Sequence, residues 1–136
     1  MIDTKQALER FEKLIEMQRA RVAAMQAQGD FVDYAALDKI IIGVCGGDGI
    51  GPVITHEAER VLRFLLADEV KAGKVEFREI DGLTIENRVA AMKAIPDDVL
   101  AELKACHVIL KGPTTTPRAG DPWPNIERAH VAMGKE

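Results

Sequence analysis

Apolar positions recur along this chain in two rhythms. From Thr4 to about residue 27, Leu8, Phe11, Ile15, Val22 and Met25 fall at heptad-like spacing, with Leu14 beside them and Gln18 interrupting the stripe. That period predicts an amphipathic helix capped by Thr4 and ended by Gly29, with Glu9, Lys13, Glu16 and Arg19 on its solvated side. Such a helix either packs on its own domain or serves as an oligomerisation arm. A connector over 30–38 carries Phe31, Val32 and Tyr34 as expected anchors to the body. The rhythm then changes. Residues 39–45 form an apolar, β-branched run, followed by four glycines in six residues and then Pro52. This reads as a buried strand, a tight turn and the first turn of a helix.

That helix is expected from Pro52 to about Asp68, with Ile54, Ala58, Val61, Leu62 and Leu65 on one face. Residues 74–80 largely alternate and predict a half-buried edge strand, stopped by Asp81-Gly82. A short helix is expected over 84–93. Another begins after Pro96, with Asp97 and Asp98 complementing its dipole and Val99, Leu100 and Leu103 on its apolar face. Residues 107–110 form a third strand. Strand–helix–strand–helix–strand implies an α/β fold with parallel pairing, residues 39–136, preceded by a helical arm and connector, residues 1–38. Ligands in such sheets sit at the carboxyl ends of the strands, so the loops at 46–52 and 111–120 open on one rim.

The first of these loops is not a nucleotide clamp. The position three after Gly49 is Pro52, which breaks the dinucleotide fingerprint, and no Gly-Lys-Ser/Thr follows. Asp48 also places a negative charge where a diphosphate would sit. Gly47, Asp48, Gly49, Gly51 and Pro52 therefore read as a structural turn.

Composition narrows the function. Net charge is −4 and aromatic residues are 4% of 136, so neither a basic surface nor a base-stacking platform for nucleic acid is expected. No apolar run approaches the roughly 18 residues of a membrane span, and the acidic N-terminus is not a signal peptide. Cys45 and Cys106 lack metal-ligand spacing and are expected as reduced thiols in a cytoplasmic protein. His56 reads as a surface or packing histidine, His107 as a structural residue opening a strand, and Trp123 as a side chain packing the loop around it. Neither a metal site nor a catalytic acid–base pair emerges; Asp97 and Asp98 belong to a helix start. The chemically richest stretch is Lys111-Gly112-Pro113-Thr114-Thr115-Thr116-Pro117, a cation and three hydroxyls at a strand's carboxyl end, suited to an anionic small molecule.

Taken in order, four motifs resemble the isocitrate/isopropylmalate dehydrogenase family over residues 39–133. They are Gly47-Asp48-Gly49-Ile50-Gly51-Pro52, Asp81-Gly82, Ile95-Pro96-Asp97 and Lys111 to Pro117, the last resembling the isocitrate branch more closely. The resemblance implies a partial three-layer parallel-sheet domain of that type with an extra N-terminal helix. It also implies oxidative decarboxylation of a 2-hydroxy acid with NAD or NADP and Mg²⁺ or Mn²⁺. Lys111, Thr115 and Thr116 would lie beside the substrate and the nicotinamide.

Where the family pattern holds substrate carboxylates with Ser, Asn and Arg, alignment through Val131-Ala132-Met133 places Arg128, His130 and Gly134. Arg128 and His130 are therefore further binding candidates, while Gly134 removes a bidentate partner worth a few kcal/mol if buried. The family's catalytic Tyr and Lys, its metal-binding aspartates and its adenosine-binding segment lie downstream of Glu136. The expectation is thus an N-terminal portion or subunit, inactive alone and completed by a separate chain in a homo- or hetero-oligomer. The alternatives are a non-catalytic regulatory or anion-binding module that oligomerises, and a truncated product of a full enzyme.

Overall fold

The computed structural model describes residues 4–27 and 32–135. Gly29 and Phe31, the expected helix stop and first anchor, lie outside them. The chain divides into two compact units, Met1–Ala35 and Ala36–Glu136. In the first, the heptad-like stripe forms one helix, α1 (Thr4–Ala27), with no buried residue. A single 3-10 turn follows at Tyr34–Ala36. Val32 and Tyr34 are exposed. The turn has a local tie: the Ala35 N–H donates to Asp33 Oδ1 at 3.0 Å, as short acidic side chains commonly do in turns.

The second unit runs β1 (Ile40–Cys45), α2 (Gly51–Leu65), α3 (Ala67–Lys71), β2 (Val75–Glu79), α4 (Ile85–Ala91), α5 (Asp97–Lys104), β3 (Val108–Lys111) and α6 (Ala129–Met133). β1 lies at the centre with β2 and β3 on either side. Both pairings are parallel, and Gly43 stands opposite Arg78 on one side and Ile109 on the other. The helix expected to continue to about Asp68 instead ends at Leu65. Leu66 leaves the helical region at φ −105°, ψ 23°, and a separate short helix follows.

His107 sits just before β3, which runs over Val108–Lys111 and so starts one residue later than expected. Its N–H donates to Ile41 O at 2.9 Å, while its Nδ1 accepts from the Ile41 N–H at 3.0 Å. The imidazole thus takes a ladder bond that a backbone carbonyl would otherwise supply, which is a structural role.

Alternation puts successive β1 residues on opposite faces of the sheet. One face carries Gly43 and Cys45. Cys45 joins Ile80, Leu83, Ile95, Val99, Leu103 and Ala129 in the main core, so α5 and α6 close this side. Gly43 has no side chain here because a Cβ would stand 2.9 Å from both Cys106 Sγ and Ile80 Cδ1. Burial pushes the Cys45 thiol up to about 11, and both cysteines are free thiols. The other face buries Ile42 and Val44, and α2 packs along β1 and β3.

The apolar face of α2 is largely uncovered. Ile54, Val61 and Leu65 are exposed, as are Val108 and Ile109 on the edge strand β3. An apolar helix face beside an apolar sheet edge is what a partial domain leaves open.

Candidate functional site

Two loops leave the carboxyl ends of neighbouring strands and meet backbone to backbone. Gly46–Ile50 leaves β1, and Gly112–Pro117 leaves β3. The Gly112 N–H donates to Cys45 O and the Asp48 N–H to Pro113 O, each at 2.8 Å. Only glycine fits this contact. A Cβ on Gly112 would lie 2.1 Å from Gly46 O and 2.5 Å from Thr55 Oγ1, and one on Gly47 would lie 2.1 Å from Pro113 O. Gly47 and Gly49 also adopt positive φ, 74° and 60°, where other residues are strained. Pro52 occupies the first turn of α2, where its missing N–H costs nothing. Gly112→Ala is expected to destabilise the protein by about 1–3 kcal/mol, the usual effect of overpacking. Urea unfolding should show a lower midpoint at unchanged slope; an unchanged midpoint would contradict the close approach.

Asp48 is the pivot of the turn. Its Oδ1 accepts from the Ile85 N–H at 2.8 Å, at the start of α4. Its Oδ2 accepts from the Thr115 N–H at 2.6 Å. One carboxylate therefore ties β1's loop to α4 and to the loop after β3, using two charge-assisted bonds.

Arg88 grips the same loop from the other side. It lies on α4 one turn after Ile85 and is fully buried. Its Nε donates to Ala94 O at 2.9 Å, its Nη1 to Thr115 O at 2.8 Å and its Nη2 to Glu127 O at 2.8 Å. Burial lowers its pKa, and the nearby Asp48 charge opposes that shift. The Thr115 residue is thus held at its N–H by Asp48 and at its carbonyl by Arg88. Through Glu127, Arg88 also fastens the segment that leads into α6.

Lys111 ends β3, half-buried. Its Nζ donates to Gly112 O at 2.8 Å and to Thr114 Oγ1 at 3.3 Å. Burial lowers its pKa below the usual lysine value; Arg88 acts in the same direction, and Cys45 and Asp48 oppose it. Thr115 and Thr116 are half-buried, whereas Arg128 and His130 are exposed. Arg128 caps α6, its carbonyl accepting from Val131 and Ala132. Buried Ala129 anchors that helix between the two exposed side chains. Gly134 ends it. Beyond Thr116 the loop bends, with the Arg118 N–H donating to Asp121 Oδ2 at 2.7 Å. Trp123 is half-buried there, lining an open hollow with Pro117, Arg118 and Asn125.

The arrangement offers an anionic ligand a half-buried ammonium, threonine hydroxyls and a rigid loop at one rim of the sheet. Among the described residues no three ligating side chains gather to hold a metal ion, and no helix is long and apolar enough to cross a membrane. Sequence reasoning missed Arg88. The available signal was its phase: it sits three residues after Ile85, on the stripe that faces the core, where an arginine needs buried partners.

Two curated proteins are similar to this chain. One is the isocitrate dehydrogenase [NADP] of Caldococcus noboribetus, 34% identical over 94 residues, covering 61% of this chain and 19% of that protein. The other is 3-isopropylmalate dehydrogenase 1 of Bradyrhizobium diazoefficiens, 30% identical over 90 residues, covering 66% of this chain and 23% of that protein. The chain thus spans about a fifth of the length of these relatives. No protein-family model and no solved structure matches it.

Proposed function

We propose, for a chain that belongs to the isocitrate/isopropylmalate dehydrogenase family, that its β1–β3 rim is the N-terminal part of a decarboxylating dehydrogenase site. The substrate is a 2-hydroxy acid of the isocitrate type, and the hydride acceptor is NAD or NADP. Lys111 faces a substrate carboxylate with its charge, and Thr115 and Thr116 supply hydroxyl groups beside the substrate and the nicotinamide. A bound nicotinamide would supply the acceptor for the hydride that leaves the alcohol carbon. The share of this chain is to place the anion and keep the loop from moving as charge develops, which is where fixed dipoles and cations act most strongly.

A divalent cation is implied by the family, but the described residues form no cage for one. On this reading the metal ligands and the acid–base groups come from residues outside the described part, in this chain's own continuation or in a partner. The exposed apolar surface of α2 and β3 supports a partner surface there. Free thiols at Cys45 and Cys106 fit a reducing, cytoplasmic setting.

The observation that supports this reading is the loop after β3, where Lys111 Nζ donates to Gly112 O and Thr114 Oγ1 and the Thr115 backbone is held by Asp48 and Arg88. It is tested by Lys111→Ala in the protein produced in its own source with every accompanying chain. A loss of about a hundredfold in kcat/KM for the 2-hydroxy acid is expected, the usual scale for removing one preorganised charge-stabilising group. Unchanged turnover would overturn the assignment. A second reading, an anion-binding module without turnover, is favoured by Gly134, which provides no side chain where the family holds a carboxylate with Arg. It predicts carboxylate binding that Lys111→Ala weakens, with no reduction of nicotinamide.

A further inference from the structure

α1 is 24 residues long, about 36 Å at 1.5 Å per residue. None of its residues is buried. In proteins most helical stability comes from packing an amphipathic face rather than from propensity. Written as heptads, positions a are Leu8, Ile15 and Val22, and positions d are Phe11, Gln18 and Met25. All five apolar members of this seam are exposed, from Ile15 at 43% to Leu8 at 63%. A shallow apolar groove runs along the same face, lined by Leu14, Ile15, Gln18, Arg19 and Val22. A seam this narrow fits one further helix.

We infer that the occupant is α1 of a second copy of this chain, running antiparallel. The seam is palindromic in that orientation. Leu8 meets Met25 of the second copy, Phe11 meets Val22, and Ile15 meets Gln18, so a large side chain faces a smaller one at the aromatic layer. Flanking charges select the same orientation. Glu12 and Arg19 both occupy position e, and e positions face each other across an antiparallel pair. Glu12 of each copy then meets Arg19 of the other, giving two symmetric ion pairs. Leu14 lies against the aliphatic stem of Arg21 from the second copy. In a parallel pair Phe11 would meet Phe11, Gln18 would meet Gln18, and Glu12 and Arg19 would face Ala7 and Leu14 with no charge pair at all. Flanking charges of this kind set partner choice and orientation in coiled coils.

Sedimentation of the full chain tests this. The wild type should show concentration-dependent self-association that Phe11→Asp shifts toward lower mass without altering the thermal melt of the α/β unit. Glu12→Arg and Arg19→Glu should each weaken association by about fivefold to tenfold, the scale of two exposed pairs turned repulsive. Glu12→Arg combined with Arg19→Glu should restore it. A chain that remains monomeric throughout, or an assembly indifferent to Phe11→Asp, would overturn the proposal. Single charge changes without effect, or a double variant no better than either single one, would overturn the antiparallel orientation.

Discussion

Arg88→Ala is expected to lower the stability of the α/β unit by about 3–5 kcal/mol, the range for removing one member of a buried charged network. The guanidinium satisfies three backbone carbonyls, Ala94, Thr115 and Glu127, each at 2.8–2.9 Å. Alanine leaves three partly buried carbonyls without this donor, so the loss combines unpaired acceptors with a cavity. Against a typical total of about 5–15 kcal/mol for a domain, this approaches complete unfolding. Arg88→Lys separates charge from geometry. A lysine keeps the charge but is a point donor, and it cannot reach three divergent carbonyls as a planar fork does. It should recover part of the loss. Urea unfolding of the three proteins checks the order wild type, Arg88→Lys, Arg88→Ala. An alanine variant within about 0.5 kcal/mol of the wild type, the range of ordinary surface substitutions, would show that the clamp is not formed.

The second large effect is expected at Asp48. Removing its carboxylate strands the N–H groups of Ile85 and Thr115, which it accepts at 2.8 and 2.6 Å. It also removes the negative charge that opposes the lowering of the Arg88 pKa by burial. Asp48→Ala should cost about 2–4 kcal/mol, two charge-assisted bonds reduced by partial exposure of the site. Asp48→Asn retains one acceptor oxygen but turns an amide toward the other N–H, so it should fall between alanine and wild type. Asp48 and Arg88 hold opposite ends of the same residue, Thr115. Their effects should therefore be non-additive, with a coupling of about 0.5–3 kcal/mol in a double-mutant cycle. Strict additivity would mean that the loop is held elsewhere.

These two residues also mark where the sequence was readable. Asp48 stood inside a conspicuous glycine turn, and its neighbours declared a tight strand-to-helix connection. The glycines were legible because each of the contacts at Gly47 and Gly112 excludes a Cβ. β-branched and alternating runs located the three strands, and the short helix expected over 84–93 is α4, where the Thr84 side chain accepts from the Asn87 N–H. What Asp48 grips was not legible, since its partners lie 37 and 67 residues away. Arg88 was hidden for the same reason: its three acceptors are backbone carbonyls, which carry no residue identity. The break at Leu66 had no glycine or proline to mark it, and the bond from His107 Nδ1 to β1 replaces a backbone partner that a strand pattern assumes. Arg128 and His130 were reached only by alignment through Val131-Ala132-Met133. The structure sets them on either side of buried Ala129 at the start of α6, with Arg88 tying the preceding residue to the Thr115 loop.

The proposed function rests on whether this rim works in a decarboxylating oxidation. The most direct measurement is made on the protein isolated from its own source, together with every chain that accompanies it. Nicotinamide reduction and CO₂ release are followed with isocitrate- and isopropylmalate-type 2-hydroxy acids, with NAD or NADP and with Mg²⁺ or Mn²⁺ supplied. One CO₂ should be released per hydride transferred, for a substrate of this class, and both signals should be lost together in Lys111→Ala. Carboxylate binding at the rim with neither signal, in a preparation holding all accompanying chains, would contradict the proposed function and leave the anion-binding module.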